Sequence, residues 1–246
     1  MVKFAVFATK VVAATVAAIM FSSCHTKIDL GNGIDGNGNV TTETRNVGSD
    51  FSKIDVNRGL NVTVEQSDTF FVEVEADNNL QSHITTKVEN GTLVISTDEN
   101  IDYATAKNIH VKMPSLTAIE TSSGSSLKTN GVYKGTDITV GSSSGSETNL
   151  DLEFDNISCE SSSGSSISLK GKALKLTTDS SSGSHIDARG LLVNAVIASS
   201  TSGSSTDVHP LVSLNGKASS GSSINYDSSP KTVTEEESSG GSVSKE

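Results

Sequence analysis

The chain has 246 residues, 34% hydrophobic and 4% aromatic, with 43 serines and no tryptophan, which rules out a compact globule built on large side chains. Only 19% of residues are charged, and Val, Ile and Leu recur at intervals, a pattern that disordered chains lose. The net charge of −11, with no basic run, gives nucleic acid nothing to bind, because phosphate recognition needs clustered Lys and Arg.

Residues 1–23 read as an export signal. Lys3 and Lys10 form a basic start, and Val11 to Phe21 is an apolar stretch of signal length, too short to span a bilayer. Phe21-Ser22-Ser23-Cys24 resembles a bacterial lipobox, which implies cleavage before Cys24 and acylation of its sulfur and new amine. At about 0.8 kcal/mol per buried CH₂, three acyl chains anchor a protein without a spanning helix. The mature chain then carries 16 basic and 29 acidic residues, a net charge of −13.

Residues 24–46, rich in Gly, Asn and Thr, are predicted to be a flexible tether. Asp35-Gly36-Asn37-Gly38-Asn39 begins like a calcium loop, but Val40 stands where Gly is needed and Asn46 where Glu is needed, so no metal is expected there. From 47 to 116 the chain reads as opening strands, with alternation in Leu60-Asn61-Val62-Thr63-Val64 and in Phe71-Val72-Glu73-Val74-Glu75 and turns at Asn57-Arg58-Gly59 and Glu89-Asn90-Gly91. This section is expected to cover the first coil of a repetitive region that begins at 117. Phe70, Phe71 and Tyr103 are read as core residues within it, with an apolar contact patch as the alternative.

From 117 to 246 the chain repeats. The motif S-S-G-S, opened by Thr201 in one copy, has its glycine at Gly124, Gly145, Gly164, Gly183, Gly203, Gly221 and, in a variant copy, Gly240. Three residues after these glycines stand Leu127, Thr148, Ile167, Ile186, Thr206, Ile224 and Val243, and five before them Ile119, Val140, Cys159, Thr178, Ala198, Gly216 and Glu235. Steps of two residues are the strand period. A unit of about 19 residues with two short strands cannot bury its apolar face alone and must stack. The predicted fold is therefore all-β, a right-handed parallel β-helix or β-solenoid whose seven coils extend roughly 34 Å. The glycines mark corners, and the serine before each glycine is predicted to turn its hydroxyl inward. Cys159 falls in a core column, a small buried hydrophobe instead of a reactive thiol.

Asp50-Phe51-Ser52-Lys53-Ile54-Asp55-Val56-Asn57-Arg58-Gly59, Asn90-Gly91-Thr92-Leu93-Val94-Ile95, Val111-Lys112-Met113-Pro114 and the serial corners together resemble the auto-transporter adhesin head GIN domain family over residues 47–246. The resemblance implies a β-helix-like fold and an exported or lipid-anchored envelope protein, and it carries over no catalytic residue.

The outward positions offer one patch, His185 and Asp187 in one coil and Ser205 and Asp207 in the next. The column Asn149, Asp187, Asp207 and Asn225 is a candidate for sugar hydroxyls or a cation. Serine fills most such positions, so Ser205 beside His185 has little meaning as a catalytic pair, and His83, His110 and His209 are scattered and suggest no metal. No cofactor is expected. The leading expectation is a protein held in the outer membrane through Cys24, on the periplasmic or outer side, that binds a surface protein or glycan without chemistry of its own. The alternatives are a carbohydrate-active lyase or hydrolase on the outer solenoid face and a passive spacer.

Overall fold

The structure, a computed structural model, describes residues 33–246; the signal segment, Cys24 and the first part of the tether lie outside the described residues. Residues 34–246 form one unit of strands. Among the described residues no helix is long and apolar enough to cross a membrane. The opening section holds β1 (Ile34–Asp35), β2 (Val40–Thr44), β3 (Lys53–Val56), β4 (Asn61–Gln66), β5 (Phe71–Asp77), β6 (Ile84–Glu89), β7 (Thr92–Thr97), β8 (Ile101–Tyr103) and β9 (Lys107–Met113). The repeat holds β10 (Ala118–Thr121), β11 (Ser126–Thr129), β12 (Tyr133–Ser142), β13 (Glu147–Ser161), β14 (Ser166–Ser180), β15 (His185–Ser200), β16 (Ser205–Ala218), β17 (Ser223–Tyr226), β18 (Thr232–Glu237) and β19 (Ser242–Lys245).

The repeat is a parallel solenoid with coils of about 19 residues. Val140 pairs with Cys159, Cys159 with Thr178, Thr178 with Ala198 and Ala198 with Gly216, so the column read from the sequence is a physical stack. Ile119, Val140, Cys159 and Ala198 in that column, and Leu127, Ile167, Ile186 and Ile224 in the column after the glycine, are all buried. Burial pushes the Cys159 thiol up to about 12, which suits its reading as an inert hydrophobe. The central coils have more than the two short strands expected of them. β13 and β14 are each continuous for 15 residues and bend round a further side, where Leu152 and Phe154 or Ala173 point inward.

Each corner places two consecutive residues in the left-handed region, such as Ser163 (φ 53°) and Gly164 (φ 71°). Glycine takes this conformation at no steric cost, whereas the serine before it takes it at some cost and is exposed. The inward hydroxyl therefore belongs to the serine after the glycine, not to the one before it as the sequence suggested. Ser165 is 2% exposed; its Oγ lies 2.8 Å from Ser162 O in its own corner and 2.6 Å from Ser142 O in the preceding coil, and it accepts the Ser162 N–H at 3.1 Å. Ser125, Ser146, Ser184, Ser204 and Ser222 repeat the link to the preceding coil. A left-handed residue turns its side chain away from the core, which is why alternation alone misplaces the hydroxyl. In the last coil Gly241 takes this position, where a Cβ would run into the backbone of Ala218.

The opening section contains the same corner in disguise. Arg58 (φ 59°) and Gly59 (φ 72°) are left-handed, and the fully buried Leu60 replaces the bonded serine with an apolar one. β3 and β4 pair in parallel with β10 and β11, and on their other edge with β7 and β9. The stack thus runs β7/β9, β3/β4, β10/β11 and onward, out of chain order. Antiparallel strands then close this end, β6 on β7, β5 on β9 and β2 on β5. The edges that remain at this end are β2 and β6, strands of five and six residues that carry Thr, Glu and Lys, and short polar edges of this kind discourage further pairing.

The predicted tether is shorter than 24–46, because residues 34–44 include β1 and β2. The backbone there is held by side chains far along the sequence. Gln81 Nε2 donates to Thr41 O at 2.8 Å, and the fully buried Asp77 accepts the N–H groups of Gly38, Thr105 and Ala106. Asn37, in the failed calcium loop, is bonded to Asn78 and Asn79. Burial opposes ionisation of Asp77, but the backbone donors outweigh it and hold its pKa below the usual carboxylate value. At the far end Glu235 and Glu237 occupy inward columns of the last coil, and Glu237 accepts the Val243 N–H at 2.6 Å. Inward charge of this kind blunts an edge strand.

Two outcomes are expected. Ser165→Ala, which removes the hydroxyl's bonds within its corner and its buried bond to Ser142 O in the preceding coil, lowers stability by about 1–3 kcal/mol in urea unfolding, while Ser163→Ala changes it by less than about 0.5 kcal/mol. Asp77, with its depressed folded pKa, contributes stability that is present above about pH 4 and is lost as the pH falls through the folded value; Asp77→Asn removes this part of the acid sensitivity in pH-dependent melting.

Candidate functional site

Outward side chains that follow the corner share one continuous sheet. From the cap it runs β5, β9, β4, β11, β13, β14, β15, β16, β17, β19, ten strands over roughly 43 Å. Two residues after the glycine the outward column reads Ser126, Glu147, Ser166, His185, Ser205, Ser223 and Ser242. Four after, it reads Lys128, Asn149, Ser168, Asp187, Asp207, Asn225 and Ser244. The four predicted site residues therefore lie in one column, with Ser168 between Asn149 and Asp187.

Asp187 and Asp207 are neighbours, but they are not a free carboxylate pair. Arg189 donates to both oxygens of Asp187, Nε at 3.0 Å and Nη2 at 2.9 Å, and its Nη2 lies 3.9 Å from Asp207. These hydrogen bonds from Arg189 hold Asp187 below the usual carboxylate range. Asn225 Nδ2 donates to Asp207 Oδ1 at 2.8 Å. The guanidinium thus supplies the positive charge that a cation would bring, a role the sequence did not assign to Arg189. Asn149 is apart from this cluster and bonds Glu147 at 2.8 Å.

His185 Nδ1 is 2.7 Å from Ser205 Oγ, and its Nε2 is 3.7 Å from Asp207. A serine, an imidazole and a carboxylate do meet here, yet acyl transfer also needs donors aimed at a developing oxyanion. Ser205 N–H is committed to Ser184 O at 3.0 Å, within the strand ladder. The corner glycine amides are committed as well, Gly183 to Ser202 O and Gly203 to Ser220 O. The arrangement presents hydroxyl, amide and charged groups in fixed positions, which is the equipment of a binding surface.

Of the aromatic residues assigned to the core, only Phe70 behaves so, packing edge-on against Phe51 with centroids 4.9 Å apart. Phe71 is half-buried and lines clefts on the outward sheet, and Tyr103 is 63% exposed. The sequence placed them inside because aromatic residues in this chain are scarce. The antiparallel strand β5 turns Phe71 to the outer face by its register.

Calcium or EDTA is expected to leave the melting temperature of the wild-type chain unchanged, with calcium stabilising the protein only after Arg189→Gln. Thermal melts with and without each reagent check this.

Among curated proteins none matches the chain. Its fold is similar to a crystal structure of a putative adhesin from Bacteroides fragilis, 20% identical, covering 87% of this chain and 100% of that one with a TM-score of 0.81. It is also similar to a putative lipid binding protein from Parabacteroides distasonis, 21% identical, covering 87% and 99% with a TM-score of 0.71. A third similar structure is a putative adhesin from Parabacteroides merdae, 20% identical, covering 88% and 100% with a TM-score of 0.70. Residues 50–230 match the family described as "Putative auto-transporter adhesin, head GIN domain", and the chain belongs to that family.

Proposed function

We propose that this chain is a lipid-anchored cell-envelope protein, held in the outer membrane by acylated Cys24, that works by binding a surface protein or glycan through the outward face of its long sheet. The observation that carries this reading is the ten-strand face itself, lined with hydroxyl, amide and paired charged groups on a stack whose core is closed. A rigid array of this kind offers a partner many fixed hydrogen-bonding groups with no ordering cost in the backbone. Catalysis has less support, because the carboxylates that would serve it are held by Arg189 and Asn225. The names of the similar structures, adhesins and a lipid binding protein, agree with a binding role.

The lipobox Phe21-Ser22-Ser23-Cys24 supports the anchor. Palmitate labelling of cells expressing the full chain is expected to mark the protein and to be lost in Cys24→Ala; labelling that persists in Cys24→Ala contradicts the anchor. For the binding face, capture of surface components by the full chain is expected to fall when outward serines and acids of β14 to β17 are replaced together by lysine, and unchanged capture argues against it.

A further inference from the structure

We propose that two adjoining clefts where the cap meets the solenoid form a single site for a neutral saccharide. This rests on the reading of the outward sheet as the binding face and names the place and the ligand class. The first cleft, about 220 Å³, is walled by Phe71, Glu73, Thr63 and His110. The second, about 360 Å³, is walled by Asn61, Glu75, Asn108 and Asn149 together with the same Thr63 and His110, so the two run into one another. Their sizes lie near the lower end of small-molecule sites, about 300–1,000 Å³.

Strand register builds the site. The antiparallel pairing of β5 with β9 sets Phe71 beside Lys112, Glu73 beside His110 and Glu75 beside Asn108. The parallel pairing of β9 with β4 then sets Asn61 beside Asn108 and Thr63 beside His110. Neither neighbour relation can be read from the repeat, because both depend on the cap strands stacking out of chain order.

A pyranose ring has an apolar C–H face and a rim of hydroxyls that both donate and accept. Phe71 provides the apolar wall and is shared with a third cleft beside Arg45 and Val47, so the ring is not sealed into the core. Beside it runs a chain of hydrogen bonds across four strands: Ser126 Oγ to Asn61 Oδ1 at 2.9 Å, Asn61 Nδ2 to Asn108 Oδ1 at 3.3 Å, and Asn108 Nδ2 to Glu75 Oε2 at 2.8 Å. The chain fixes two amides and a carboxylate while leaving each amide a second N–H and Glu75 its other oxygen. Among the described residues, Glu73 and His110 form no side-chain hydrogen bond or ion pair, which leaves both available to a ligand.

Charge selects the class of saccharide. The clefts are lined by the carboxylates of Glu65, Glu73, Glu75 and Glu147 against the ammonium groups of Lys112 and Lys128, and Lys112 is held by Glu65 at 3.5 Å. This excess of negative charge disfavours uronates, sialic acids and phosphates, while carboxylates are good acceptors for the hydroxyls of an uncharged sugar.

The test titrates the full chain, in detergent, with cello-, xylo-, manno- and malto-oligosaccharides, and with polygalacturonate and inorganic phosphate as anionic probes. At least one neutral oligosaccharide is expected to bind saturably, and Phe71→Ala and Asn108→Ala each weaken it by at least about tenfold. His110→Ala, a change at an exposed position with no bond to lose, weakens binding too and decides the matter if the Phe71 variant does not fold. Glu236→Gln, on β18 and outside this sheet, leaves binding unchanged. The proposal is overturned if no neutral oligosaccharide binds, if only the anionic probes bind, or if binding survives the Phe71, Asn108 and His110 changes. Binding that is lost instead in Asp187→Asn or Asp207→Asn overturns this site but leaves the outward face as the binding surface.

Discussion

The corner hydrogen bond is what the rest of the structure depends on. At six corners a left-handed serine and glycine reverse the side-chain direction, and the serine that follows ties its hydroxyl to its own corner and to the carbonyl one coil back. The glycine amide reaches forward, Gly164 N–H to Ser182 O at 3.1 Å and Gly183 N–H to Ser202 O at 3.1 Å. One short motif thus satisfies its own buried polar groups and fixes the register of both neighbours. A slip of one residue would turn every inward side chain outward. With register fixed at the corner, small residues such as Ala198 and Gly216 are tolerated in the core column, and few large side chains are needed.

A stack of this kind is vulnerable at its ends, and the two ends are treated differently. The opening end uses bulk and antiparallel strands, with Leu60 replacing the corner serine and Asp77 drawing three backbone donors onto one carboxylate. The other end uses charge, with glutamates in the columns that elsewhere hold Ala198, Ala218 or Ser200. The functional consequence lies at the first end. Closing the stack with antiparallel strands brings Phe71, Glu73 and His110 onto a face whose repeat columns hold no aromatic residue and are half serine.

Periodicity made the solenoid legible from the sequence, because columns such as Val140, Cys159 and Thr178 are set by residue count alone. The direction of a corner serine was not legible, since a change to left-handed backbone leaves no mark in the alternation. Asn57-Arg58-Gly59-Leu60 was readable as a turn but not as a corner, because Leu60 does the serine's structural work by apolar packing. The column of Asn149, Asp187, Asp207 and Asn225 was foreseen, but its pairing with Arg189 was not, as that contact arises from a side chain folding back two residues along its own strand. The clefts at Phe71 and Asn108 lay beyond reach because their register joins strands that are not sequential in the stack.

Hydrogen exchange at the corner amides tests this account most directly. Gly124, Gly145, Gly164, Gly183, Gly203 and Gly221 each donate to a serine carbonyl in the following coil, while the Gly240 amide has no such partner among the described residues. The account predicts slow exchange at the six inner glycines, despite their exposed positions, and fast exchange at Gly240. Uniformly fast exchange at all seven would show that the corners do not hold the coils together and would contradict it.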